Sequence, residues 1–184
     1  SWYTSIHPEK GTFCFNDIIS IYDENPHISE MMLTGGSPTM HPALVNELTH
    51  FANDRNILIT IETEGSAFVE TAYPLGLLSI SPKFSNSVPV EGTLTPAGKV
   101  VDERMIKTHN KKRLNTESIK QMIEFHTDYH YKPVWDGTKG NLKEIEDYRI
   151  ELDVPKDKTY IMPAGDTRES LIRMYPLVFD LCAK

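Results

Sequence analysis

The sequence is poor in the features that mark several protein classes. It has two cysteines in 184 residues, Cys14 and Cys182, far apart and in no metal-ligand spacing. Within these residues that excludes a cysteine-built zinc or iron–sulfur site, and two reduced thiols in a cytoplasmic protein is the simple reading. No apolar run approaches the roughly 20 residues of a membrane-spanning helix, and no signal peptide is visible, so no membrane partner is expected. Positive charge is in deficit: 19 Lys and Arg against 26 Asp and Glu leave a net charge of −7. Such a chain is not built to hold a nucleic-acid backbone non-specifically, so no nucleic-acid partner is expected, although a local basic patch stays open. There is no fixed-length repeat and no low-complexity tract. The chain opens without Met, as Ser1-Trp2-Tyr3, and both ends read as cut from something longer.

What is present is ordinary globular composition, 39% apolar and 24% charged, in a length that supports one domain over 1–184. Residues 1–29 read as a lead-in segment. Met31-Met32-Leu33-Thr34 is a short apolar run stopped by two glycines, a strand-end signal. Pro42 then opens a helix with Leu44, Val45, Leu48, Phe51 and Ala52 on one face. Ile57-Leu58-Ile59-Thr60-Ile61 predicts a strand buried on both faces. Leu77-Leu78-Ser79-Ile80 repeats the pattern after a crossover too short for a full helix. Residues 84–110 are polar and read as a long excursion outside the core, extended to 84–113 by the basic run Lys107, His109, Lys111, Lys112 and Arg113, a solvated linker.

A helix with Ile119, Met122, Ile123 and His126 follows, capped by Asn115 or Thr116. Tyr129 to Trp135 reads as one strand. Asn141 and Glu144 predict a capping box, Thr159 to Met162 a fifth strand, and Asp166 with Glu169 the start of a last helix. Alternating strands and helices imply a parallel sheet, either doubly wound or closed toward a barrel. In both, ligands bind at the carboxyl ends of the strands.

The polar punctuation falls at those ends. Gly35-Gly36 removes two Cβ atoms where a ligand could approach the backbone, or simply makes a tight turn. It matches neither the phosphate loop nor the dinucleotide fingerprint. Glu62 follows an apolar strand, where a carboxylate needs a structural partner or a ligand, and alternation points Glu62 and Glu64 one way and Thr63 the other. Ser79, Ser81 and Lys83 offer two hydroxyls and a cation. His126 and His130 have chelating spacing but no third ligand, and no serine has an evident histidine partner.

The segment Leu33-Thr34-Gly35-Gly36-Ser37-Pro38 resembles the glycine-rich strand end of radical S-adenosylmethionine enzymes. Ile61-Glu62-Thr63-Glu64-Gly65-Ser66, Ser79-Ile80-Ser81-Pro82-Lys83, Tyr131-Lys132-Pro133-Val134 and Ile161-Met162-Pro163-Ala164-Gly165 resemble, in order, segments of the 7-carboxy-7-deazaguanine synthase branch. The likeness covers roughly residues 30 to 170. It implies a partial, helix-poor (βα)6-type barrel whose first strand and cluster loop are not in this chain. It implies a lyase that contracts 6-carboxytetrahydropterin to the 7-deazapurine of queuosine biosynthesis, with S-adenosylmethionine, a 4Fe-4S cluster and Mg2+. An external electron donor is implied as a partner, and a homodimer is one option. By that resemblance Thr34, Gly35, Gly36 and Ser37 meet the methionine part of the cofactor, Ser79, Ser81 and Lys83 also serve it, and Glu62 with Thr34 faces the pterin. The Cys-x3-Cys-x2-Cys motif and the Asp-Thr that supplies magnesium binding are absent, and Ser37 replaces the usual acid, which removes a charge-assisted bond to the cofactor's ammonium. Two other readings stay open: another radical S-adenosylmethionine enzyme such as an activase, and a non-catalytic barrel that binds a nucleotide or pterin.

Overall fold

A computed structural model describes residues 15–95 and 98–183. The elements are α1 (Phe15–Glu24), β1 (Glu30–Leu33), α2 (Pro42–Asp54), β2 (Leu58–Thr63), β3 (Leu77–Ile80), α3 (Glu103–Lys112), α4 (Thr116–Phe125), β4 (Tyr129–Tyr131), β5 (Val134–Trp135), α5 (Lys139–Glu151), β6 (Met162–Pro163) and α6 (Arg168–Cys182). Strands β1 to β4 pair in parallel in the order of the sequence, and β5 pairs in parallel with β6. A parallel bridge between Tyr131 and Thr159 joins the two ladders. A doubly wound sheet reverses its strand order at a switch point; this one does not. The architecture is therefore a partial parallel α/β barrel.

Side-chain alternation sets which face is core. Ile59, Ile61, Leu78, Ile80, Tyr129 and Tyr131 are buried with Val45, Leu48 and Phe51 of α2 and Ile119 and Met122 of α4. At about 25 cal/mol per Å² of apolar surface removed from water, this cluster is the main stabilising term. On the opposite face Met32 and Leu58 are 59% and 58% exposed. Thus β2 is buried on one face, not on both as its continuous apolar run suggests, because among the described residues nothing covers the inner face of the incomplete barrel. Leu44 of α2 likewise turns outward, and Thr49 takes a buried place instead.

Helix is sparse at one crossover: residues 64–76, between β2 and β3, contain none. Elsewhere helices are plentiful, and the excursion holds one. Its start and its middle are anchored, since Phe84 and Val101 are each only 1% exposed. Between them Leu94 and Val100 form an antiparallel bridge, and Asp102 accepts the Met105 N–H to cap α3. No residue of α3 is buried. Its helicity comes from that cap, from Glu103 in the first turn with Lys111 and Lys112 in the last, and from the Lys107–Glu103 pair. The excursion is thus partly core, and the basic run is a helix, not a linker.

Three further local expectations change. The stretch 129–135 is two strands, because Pro133 has no N–H to continue the ladder: Lys132 N–H donates to Ile80 O, whereas Pro133 O accepts from Met162 N–H. Thr138, not Asn141, caps α5, and Glu144 reaches away to Ser85. Thr167 caps α6 in a capping box with Ser170. The Asn115 cap of α4 is as expected. α1, inside the lead-in segment, packs Phe15 and Tyr22 edge-to-face on Phe51. Among the described residues no helix is long and apolar enough to cross a membrane.

Candidate active site

The carboxyl ends of β1, β2, β3 and β4 come together. Gly35 after β1 takes φ +99°, a backbone conformation costly to any side chain, and open space surrounds both Gly35 and Gly36. The turn is pinned to β2 by hydroxyls: Ser37 Oγ lies 3.3 Å from Thr39 Oγ1 and 3.4 Å from Ser66 Oγ. Thr39 and Thr63 hydroxyls meet at 3.2 Å, and Thr63 Oγ1 accepts the Gly65 N–H. Two glycines are therefore held with bare backbone facing open space, which fits a ligand that hydrogen-bonds to main chain.

Glu62 is the centre of the second group. Thr34 Oγ1 donates to its Oε2 at 2.9 Å, and Lys132 Nζ donates to its Oε1 at 2.5 Å. The Lys132 and Thr34 hydrogen bonds hold the Glu62 carboxyl below its usual range, against a smaller opposing effect of burial. The structural and ligand readings of Glu62 do not exclude each other, since its side chain is still 34% exposed. Lys132 was not foreseen as its partner. A cation one residue past the end of β4 is the only sequence signal for it.

Ser79 pairs in register with Glu62 on one side and His130 on the other. It is 4% exposed, which leaves its hydroxyl little surface to offer a ligand. Beyond it Lys83 Nζ donates to Ser81 Oγ at 3.4 Å. Burial pushes the Lys83 ammonium down from its ordinary range, partly offset by Glu64 and Glu62. Thr34, Glu62, Ser79, Ser81 and Lys83 therefore converge, and Lys132 joins them.

Beside this group opens a cleft of about 1520 Å³ that Gly36, Ser37, Glu64, Ser66 and Lys83 line on one wall. Small-molecule sites typically occupy about 300–1,000 Å³, so the cleft is large enough for a small molecule. Glu64 lines the cleft while Thr63 is buried, as alternation requires. Thr34, Glu62 and Lys132 are not lining residues and stand next to it on the exposed sheet face. The opposite wall is α3, through Arg104, His109, Lys112 and the following Arg113. His109 Nε2 lies 3.2 Å from Ser87 Oγ, and burial, then Arg113, pushes its pKa down. Only the fold brings these residues to the site.

His126 and His130 diverge. His126 is 6% exposed beneath the crossover, and burial lowers its pKa. His130 lies against the Tyr160 ring, tilted by 38° with centroids 4.1 Å apart. Cys182 is exposed near the end of α6, and Cys14 lies outside the described residues. Among the described residues no three of His, Cys, Asp and Glu are grouped to hold a metal ion. With Cys182 the single cysteine among the described residues, they hold no thiolate set for an iron–sulfur cluster. The open Gly-Gly backbone, the hydroxyls of Ser37 and Ser81 and the Lys83 cation do fit a cofactor with amino-acid and ribose parts.

No protein-family model matches the chain. Two curated proteins do. It is 30% identical over 169 residues to the 7-carboxy-7-deazaguanine synthase of Rhodopirellula baltica, covering 92% of this chain and 61% of that protein. It is 28% identical over 178 residues to the protein of the same name from Halobacterium salinarum, covering 93% of this chain and 65% of the relative. In sequence this is a 7-carboxy-7-deazaguanine synthase-like chain that spans less than two thirds of the length of the curated relatives it matches.

Proposed function

We propose that the chain belongs to an enzyme that binds S-adenosylmethionine and 6-carboxytetrahydropterin at these strand ends and forms 7-carboxy-7-deazaguanine. The observation that carries this reading is the convergence of Glu62, Thr34 and Lys83, from three separate strand ends, in a chain whose named relatives are synthases of that product.

In this reading the Gly35-Gly36 backbone and Ser37 hold the methionine part of the cofactor. Ser81 and Lys83 hold its remaining polar groups, and buried Ser79 supports the row from beneath. When bound in the complete enzyme, S-adenosylmethionine would supply hydrogen-atom abstraction once one electron from the reduced cluster has cleaved its sulfonium–carbon bond and released methionine. The chain's own part is to orient. Glu62, kept ionised by Lys132, accepts N–H groups of the pterin, and Thr34 fixes its second oxygen. The α3 wall bounds the cleft on the side facing these strand ends. The cluster, Mg2+ and an external electron donor belong to the complete enzyme, which we place in the cytoplasm.

The first check is the natural gene, where three cysteines spaced Cys-x3-Cys-x2-Cys are expected before Ser1. The deciding experiment is anaerobic reconstitution of the full-length protein with 6-carboxytetrahydropterin and S-adenosylmethionine. Mass spectrometry should then find the deazapurine acid and released ammonia. A cluster-loaded enzyme that gives neither would sink this reading.

A further inference from the structure

Glu144 lies on α5, outside the cleft, yet its carboxylate is fully engaged with the segment that carries Lys83. Its Oε2 accepts the Ser85 hydroxyl at 2.5 Å and the Ser85 N–H at 3.0 Å. Its Oε1 accepts Arg113 Nη1 at 3.0 Å. The same Arg113 nitrogen donates to the backbone carbonyl of Lys83 at 3.2 Å. Arg113 directly follows α3, and Lys83 stands three residues past the end of β3. Four points of the chain, Lys83, Ser85, Arg113 and Glu144, are thereby tied in one knot.

The Arg113 and Glu144 side chains are 18% and 26% exposed, so solvent screens this pair less than a surface pair. Burial pushes the Glu144 carboxyl up, but its bonds to Ser85 and Arg113 outweigh that and hold it below the usual range. The knot matters most for α3, which has no buried residue of its own and depends on a few polar anchors. Besides Arg113, these include the His109–Ser87 contact.

We propose that Arg113 and Glu144 are positioning residues, a clamp that fixes both Lys83 and the α3 wall for cofactor binding, with Glu144 acting from outside the cleft. This rests on the reading of Lys83 as cofactor-facing. Two groups of the clamp bond to main chain, so charge alone does not define it. Glu144→Gln keeps an acceptor for the Ser85 N–H and retains part of the function. Arg113→Lys keeps the charge but loses the guanidinium fork. Exchanging the two residues restores an ion pair but leaves the Lys83 carbonyl without its donor.

The test compares amide hydrogen exchange and ligand affinity in the full chain. For Glu144→Ala, exchange in 84–113 should rise at least tenfold and S-adenosylmethionine affinity fall about tenfold, with β1–β3 exchange and 6-carboxytetrahydropterin affinity unchanged. Glu144→Gln should lie between, and R113E/E144R should not rescue. Wild-type affinity for S-adenosylmethionine in Glu144→Ala, or a uniform rise of exchange through β1–β3, overturns the proposal, as does full rescue by the exchange of charges. If the wild-type chain binds no S-adenosylmethionine, the cofactor reading of the site falls with the cofactor half of the clamp. The exchange data then still decide separately whether the clamp holds α3.

Discussion

Lys132 Nζ stands 2.5 Å from Glu62 Oε1, although β3 lies between the strands that lead to them. The lysine reaches over a strand whose residue at that level, Ser79, is small and buried. A bulkier residue there would obstruct the approach.

Lys132→Met should leave Glu62 with one partner and weaken pterin binding about tenfold, which corresponds to about 1.4 kcal/mol, with Lys132→Arg closer to wild type. Calorimetric titration with 6-carboxytetrahydropterin measures it. Equal affinity in all three proteins would remove Lys132 from the site.

Acid should weaken the fold through the same carboxylate. The folded-state pKa of Glu62 is depressed, first by the Lys132 bond and then by Thr34, and Glu144 is depressed as well. A depressed carboxyl contributes stability that is fully present above its unfolded value, about 4.3, and is lost as pH falls through the folded one. Thermal midpoints recorded from pH 7 to 3 should fall at the acid end, less steeply in Glu62→Gln. Parallel curves would show that Glu62 gains nothing from its partners on folding.

Lys83 runs the other way. Burial lowers its folded pKa, so at neutral pH the folded protein carries a cation it would be easier without. Lys83→Met should abolish S-adenosylmethionine binding while raising the thermal midpoint, by roughly 2–4 °C per kcal/mol for a domain of this size. A fall in both would mean that the Ser81 contact and the pull of Glu64 outweigh desolvation.

The two glycine turns should respond unequally. Alanine at Gly65, where φ is +89°, would place Cβ inside the side chain of Ile119, a core residue; a loss of roughly 2–4 kcal/mol is expected from overpacking and strain together. Gly35→Ala meets no atom within 4 Å and should cost about 1 kcal/mol of strain alone. Urea midpoints of the two variants decide this, and equal losses would contradict it.

What could be read from the sequence follows the range of each signal. β1, β2 and β3 are apolar runs ended by Gly-Gly, Glu-Thr or Ser-Pro, and the Asn115 cap acts three residues along the chain. Those signals are local and survive folding. α3 is hard to read from sequence because Met105 and Ile106 are its two apolar residues, too few to mark a stripe. Glu144 was misread because a capping box and a bond to Ser85, 59 residues away, use the same carboxylate. Convergence of Thr34, Glu62 and Lys83 was readable from strand-end logic, but the Lys132 partner needs the register of β3 against its two neighbours.

The dipeptide Lys132-Pro133 acts as a seam. The Lys132 amide bonds to β3 and the Pro133 carbonyl to β6, so two consecutive residues are stitched to the two ladders. Glu62 is joined to that stitch by the Lys132 side chain. The strand end that carries Glu62 is therefore tied, through one lysine, to the ladder that leads into the last helix.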